Sequence, residues 1–167
     1  RLHTRLRYAA GFMPHAIISV SRSMSAKVRA RYPGVLNTWI HNGIRLDTFV
    51  DAGASRAVDD PFKILFVGKL RRDKGVHVLI DAVHLLTKKE LPVRLTIMGL
   101  GPEWGNLEKQ VERCGLVGSV VFSGFKENPR RFYAQHDLCV VPSVWDEPFG
   151  LVSIEAQSVG CPVICSD

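Results

Sequence analysis

The chain has 167 residues, 46% of them hydrophobic, and a formal net charge of +6, the size and composition of a globular protein with a sizeable core. No run of about 18 apolar residues occurs, which excludes a membrane-spanning helix from this sequence. The charge is local: residues 1–46 hold eight Arg or Lys and no acid, leaving 14 basic against 16 acidic residues from 47 to 167, a balance that argues against a general nucleic-acid binder.

The basic opening, RLHTRLRYAAGFM, reads as a helix end with a narrow apolar stripe of Leu2, Leu6 and Ala9 or Ala10. It suits an anionic membrane surface or the solvated face of a larger domain. AIISVS predicts a strand, Ser23 an N-cap for a helix to about Arg31, and NTWI a second strand before the Asn42-Gly43 turn. From Asp47 to Pro61 the small, acidic and turn residues carry no periodicity, as a linker between domains does. After it the pattern is regular. FKILFV is a strand, Val76, Leu79, Ile80, Val83 and Leu86 recur at helical spacing, and VRLTIM is the next strand. Trp104, Leu107, Val111 and Cys114 mark a helix stopped by Gly115. SVVF, a short helix at about 129–135, LCVVPS, a helix starting at about Phe149 or Gly150, and CPVIC complete the order. A sequence that opens at Arg1 without Met and stops directly after a strand reads as a fragment.

Alternating strands and helices predict an α/β fold, a Rossmann-like parallel sheet covered on both faces. Such sheets bind ligands at the carboxyl ends of their strands, and Gly68-Lys69, Gly99-Leu100-Gly101, Gly124 and Glu147 each follow such an end. In GKLRRDKG, Lys69 and Lys74 flank a loop before a helix and suit phosphate, or form a solvated basic loop. Gly99, Gly101 and Gly105 in MGLGPEWG have the look of a dinucleotide fingerprint with one extra residue, yet no ribose-binding acid lies about 20 residues on.

DEPFGLVSIEAQSV is the most informative stretch. Glu147 sits in a loop before Phe149, Gly150 and Leu151, whose backbone amides open a helix and favour an anion; alternatively Glu147 or Asp146 is the helix cap. Glu155 lies about 40° from Leu151 and Val159 on that helix, an apolar setting in which a carboxylate needs donors. Together the two acids and two lysines suit a sugar joined to a nucleoside diphosphate. Cys114, Cys139, Cys161 and Cys165 lack zinc-ligand spacing and read as reduced core thiols, which points to the cytoplasm. His77 and His84 read as partly exposed surface residues, and no serine-nucleophile elbow occurs.

In order, HNGIRLDTF, FVGKLRRDKGVHVLIDA, IMGLGPEWGNLE, VVFSGF and HDLCVVPSVWDEPFGLVSIEAQSVGCPVICSD resemble the glycosyltransferase family 4 enzymes of GT-B fold, with the Glu147–Glu155 pair and its seven intervening residues as the specific element. The resemblance implies a retaining, nucleotide-sugar-dependent hexosyltransferase that builds a bacterial polysaccharide or glycolipid. By it, residues 1–46 end an N-terminal acceptor domain, 47–61 are the interdomain linker, and 62–167 are an incomplete donor-binding domain. It implies that Lys69, in place of the usual arginine, and Lys74 hold the diphosphate beside Gly68, Gly99 and Gly101. Glu147 contacts the donor sugar and Glu155 the ribose, Gly124 and Phe125 lie near the base, and Phe149, Gly150 and Leu151 offer amides. The implied catalytic groups are Glu147, Lys74 and Lys69, with no cofactor and no metal. The implied partners are the nucleotide-sugar, a saccharide or glycolipid acceptor and the inner face of an anionic membrane, but no nucleic acid. The fragment alone is expected to be inactive. A Rossmann-type NAD(P) oxidoreductase and a non-catalytic nucleotide-sugar-binding module are the alternatives.

Overall fold

A computed structural model describes residues 14–46 and 61–166 of the chain. The expected basic helix end at 1–13 and nearly all of the expected linker lie outside the described residues. The chain divides into two compact units between Gly43 and Ile44.

The first unit is a small parallel crossover. Strand β1 (Ala16–Ser19) pairs in parallel with β2 (Leu36–Trp39), and helix α1 (Arg22–Arg31) connects them. The cap of α1 differs from expectation: Ser21, in extended backbone, accepts from the Met24 amide at 3.2 Å. Ser23 is itself helical, because β1 ends early enough for Ser21 to meet the free amides.

The second unit is a doubly wound sheet. Its strands are β3 (Phe62–Val67), β4 (Val93–Met98), β5 (Val120–Gly124), β6 (Leu138–Val141) and β7 (Val163–Cys165), all parallel, in spatial order β5-β4-β3-β6-β7. Helices α2 (Val76–Lys88), α3 (Trp104–Arg113), α4 (Arg130–Ala134) and α5 (Leu151–Gln157) form the crossovers. Strand alternation sends neighbouring side chains to opposite faces. Ile64 and Phe66 of β3 join Leu79, Ile80 and Val83 of α2 and Leu107 and Val111 of α3 in one core, whereas Leu65 joins Tyr133, Cys139, Ala156 and Val159 in the other. Each fully buried aliphatic side chain contributes about 1.5–3 kcal/mol. Gln110, the buried polar residue of α3, is satisfied by donating to the His77 carbonyl at 2.9 Å and to Asp81 at 2.7 Å.

Strand β5 runs two residues past the expected SVVF end, so Gly124 closes the strand rather than opening the loop, with φ +68°. Helix α5 begins at Leu151, capped by Gly150 in the left-handed region. The cap position thus falls on Gly150, three residues past Glu147 and four past Asp146, and not on either acid.

Candidate functional site

From β3 the chain steps outward to β4 and β5, then returns to the far side of β3 to lay down β6 and β7. The reversal between β3 and β6 leaves a crevice at their carboxyl ends, the usual ligand position in such sheets. Two loops meet there: residues 68–75 after β3 and 142–150 after β6.

Gly75 fixes their approach. It has φ +69°, and a Cβ added to it would lie 1.7 Å from the Pro142 carbonyl oxygen, so no other residue type fits without parting the loops. The Val144 amide donates to the Asp73 carbonyl at 2.9 Å and seals the contact. Lys74, in the short 3-10 turn Arg72–Lys74, is thereby brought to the β6 loop.

The Lys74 ammonium donates to Glu147 Oε2 at 2.5 Å, across 73 residues of sequence. The same oxygen accepts from the Ser143 hydroxyl at 2.9 Å and the Trp145 indole N–H at 3.2 Å. Lys74 also lies over the Trp145 ring, 5.2 Å from its centroid. Burial is the largest single influence on the Glu147 carboxyl and pushes its pKa up. The bonds from Lys74 and Ser143, the lysine charge and the indole N–H together outweigh it and hold the group below the usual carboxylate range.

A cavity of about 640 Å³ opens beside this cluster, walled by Ser143, Trp145, Glu147, Phe149, Gly150 and Cys165 among others. Of the expected site residues, the structure joins Lys74 to Glu147 and puts Glu147, Phe149 and Gly150 in the cavity wall. Lys69 is exposed in the β3 loop, Phe125 is 67% exposed beyond β5, and Leu151 is 43% exposed at the first turn of α5. Neither lysine nor any of Gly68, Gly99, Gly101, Gly124, Phe125, Leu151 and Glu155 lines the cavity.

Two glycines after β4 have a backbone reason to be glycine. A Cβ at Gly99 (φ +143°) would lie 1.8 Å from the Gly68 carbonyl oxygen, and one at Gly101 2.3 Å from that of Leu70. The β3 and β4 loops run backbone against backbone, with the Leu70 amide donating to Leu100 and the Glu103 amide to Leu70, each at 3.0 Å.

Glu155 is half-buried, and its Oε2 accepts from the hydroxyl of Tyr133, a fully buried residue of α4, at 3.0 Å. That donor answers the desolvation cost which the helix position of Glu155 implies. Burial, and secondarily the Glu155 charge, push the Tyr133 phenol well up.

Gly75, Ser143, Trp145 and Tyr133 are the residues that sequence reasoning misses. A polar residue directly after the apolar run of β6 and a tryptophan in a polar loop are the available signals for Ser143 and Trp145. Nothing local pairs Tyr133 with Glu155.

Residues 49–167 match the family described as Glycosyl transferases group 1. The chain belongs to this family. An uncharacterized glycosyltransferase of Methanocaldococcus jannaschii is 32% identical over 96% of this chain and 44% of its own length. The glycogen synthase of Mycobacterium tuberculosis is 33% identical over 91% of this chain and 37% of its own. Among solved structures, HepE of Anabaena in complex with UDP and glucose superimposes with a TM-score of 0.80 at 28% identity, over 97% of this chain and 48% of that one. The fold of this group 1 member is that of the GT-B glycosyltransferases, and membership replaces the oxidoreductase alternative. The chain spans less than half the length of these relatives. Among the described residues no helix is long and apolar enough to cross a membrane.

Proposed function

We propose that the chain is the greater part of the donor-binding side of a retaining glycosyltransferase of family 4 that takes a nucleoside-diphosphate sugar. The carrying observation is the convergence of Lys74 and Glu147 at the switch point of the sheet, beside a cavity walled by Phe149 and Gly150. HepE, whose complex holds UDP and glucose, supports the same ligand class here.

In this reading Lys74, with Lys69 on the same loop, takes the diphosphate. An ammonium has donors beyond the one given to Glu147, and those turned to the leaving diphosphate stabilise the charge that develops as the glycosidic bond breaks, without a resident metal. Glu147 offers its remaining oxygen to the sugar hydroxyls, Glu155 faces the ribose, and Gly124 and Phe125 lie towards the base. Gly99 and Gly101 let the β4 loop lie backbone against backbone with the β3 loop that carries Gly68, Lys69 and Lys74. The acceptor is a saccharide or glycolipid of a bacterial polysaccharide pathway, and the basic residues of 1–46 rest against an anionic cytoplasmic membrane face.

Calorimetric titration with UDP, GDP, ADP, NAD and NADP tests the reading. Saturable binding of one nucleoside diphosphate is expected, with Lys74→Ala weakening the diphosphate more than the parent nucleoside, by about 1.5–3 kcal/mol for a charge-assisted bond. Binding of NAD or NADP alone, or equal losses for diphosphate and nucleoside, would overturn it.

A further inference from the structure

We infer that Trp145 is a positioning residue that holds the Lys74–Glu147 pair in one orientation and keeps the second oxygen of Glu147 available to a donor-sugar hydroxyl. The inference rests on the donor-site reading above.

The three donors to Glu147 are distributed unevenly. Lys74, Ser143 and Trp145 all reach Oε2, whereas Oε1 accepts from no described residue. A carboxylate offers about four lone-pair sites across its two oxygens, so this arrangement saturates one oxygen and leaves the other with its full capacity. A sugar hydroxyl is a donor of the kind that oxygen can take. A lone Lys74 contact would not fix which oxygen is used, because a carboxylate can rotate to present either one to an ammonium; added donors on the same side set the orientation.

Trp145 is distinctive among those donors because it touches both members of the pair. Its indole N–H holds the carboxylate at 3.2 Å and its ring face holds the ammonium at 5.2 Å, a cation–π seat. Ser143 bonds only the carboxylate. Core packing does not account for the tryptophan, which is 44% exposed and belongs to neither core cluster, yet it forms part of the cavity wall. Its position two residues before Glu147 makes it a local brace, and its ring carries that brace across to Lys74 on the opposite loop.

The test compares Trp145→Phe, which keeps the ring and loses the N–H, with Trp145→Leu, which loses both. The ligands are UDP with UDP-glucose, GDP with GDP-mannose and ADP with ADP-glucose, and the readout is the affinity of each sugar conjugate relative to its bare diphosphate. In the pair that binds, Trp145→Phe is expected to lower that ratio by about fivefold, the worth of one hydrogen bond, with diphosphate affinity retained. Trp145→Leu should lower the ratio and change diphosphate affinity as well. In the unsubstituted protein, tryptophan emission should respond more to the sugar conjugate than to the bare diphosphate. If Trp145→Phe leaves the ratio unchanged while the unsubstituted protein binds, Trp145 is merely cover for the loop and the inference fails alone. If the unsubstituted protein binds none of the three pairs, the donor-site reading fails and this inference with it.

Discussion

Replacing Gly75 by alanine tests the junction on which the site depends. The residue adopts φ +69°, a conformation that costs an L side chain about 1–2 kcal/mol. The added Cβ would also stand 1.7 Å from the Pro142 oxygen and 2.7 Å from its carbonyl carbon. To reach a tolerable contact the β3 and β6 loops must part by more than about 1 Å, and the hydrogen bond from the Val144 amide to the Asp73 carbonyl, worth about 1 kcal/mol, is stretched or lost. The expected destabilisation is about 3–5 kcal/mol, in the range of substitutions that strain a special backbone position and break packing together. Gly115→Ala is the matched control, because Gly115 has φ +67° with nothing within 4 Å of an added Cβ. It should cost only the backbone part, about 1–2 kcal/mol. Denaturant unfolding followed by tryptophan fluorescence reads both, since Trp104 packs on Phe122 at 5.1 Å in the same unit. Nucleoside-diphosphate affinity should fall in Gly75→Ala and hold in Gly115→Ala. Equal destabilisation of the two variants would refute the argument that close loop approach, rather than backbone conformation, is what Gly75 provides.

Tyr133→Phe removes the hydroxyl that Glu155 accepts and should destabilise the chain by about 1–2 kcal/mol; a double-mutant cycle with Glu155→Gln checks it, and strictly additive effects would dismiss the bond. His136 gives a pH dependence: its Nδ1–H donates to the Phe132 carbonyl at 2.6 Å, and the Thr96 hydroxyl then donates to Nε2 at 2.9 Å. Burial, the largest influence, lowers its pKa from the ordinary 6.5 against the opposing pull of that carbonyl. The unfolded chain therefore binds the proton first, so stability is full above about pH 6.5 and declines as pH falls through the depressed folded value. Tm measured from pH 7.5 to 5.5 should drop more in the unsubstituted protein than in His136→Asn.

How much of this was legible in the sequence follows from the range of the forces involved. Strands β3 and β4 fall where FKILFV and VRLTIM place them, and α2 buries the apolar stripe written in its spacing, with Leu86 partly buried at its edge. Periodicity reports burial along one element, and each of these elements buries one face or both. The cap of α1 went to Ser21 because Ser21 and Ser23 lie two residues apart and only the exact end of β1 selects between them. Glu155 was marked by its helix position as an acid in need of a donor, but the donor lay on α4, 22 residues away.

Family membership and the positions of Lys74 and Glu147 at strand ends were fixed by the sequence itself, through the alternation of strands and helices and a two-glutamate motif of fixed spacing. The tertiary structure decided that the two residues face one another. The sheet reverses its order between β3 and β6, and Gly75 lets the two loops touch. Ser143 and Trp145 then join Lys74 as three donors on a single carboxylate oxygen. A contact across 73 residues has no local periodicity to announce it; it exists only once the crossovers have folded both loops to the same edge.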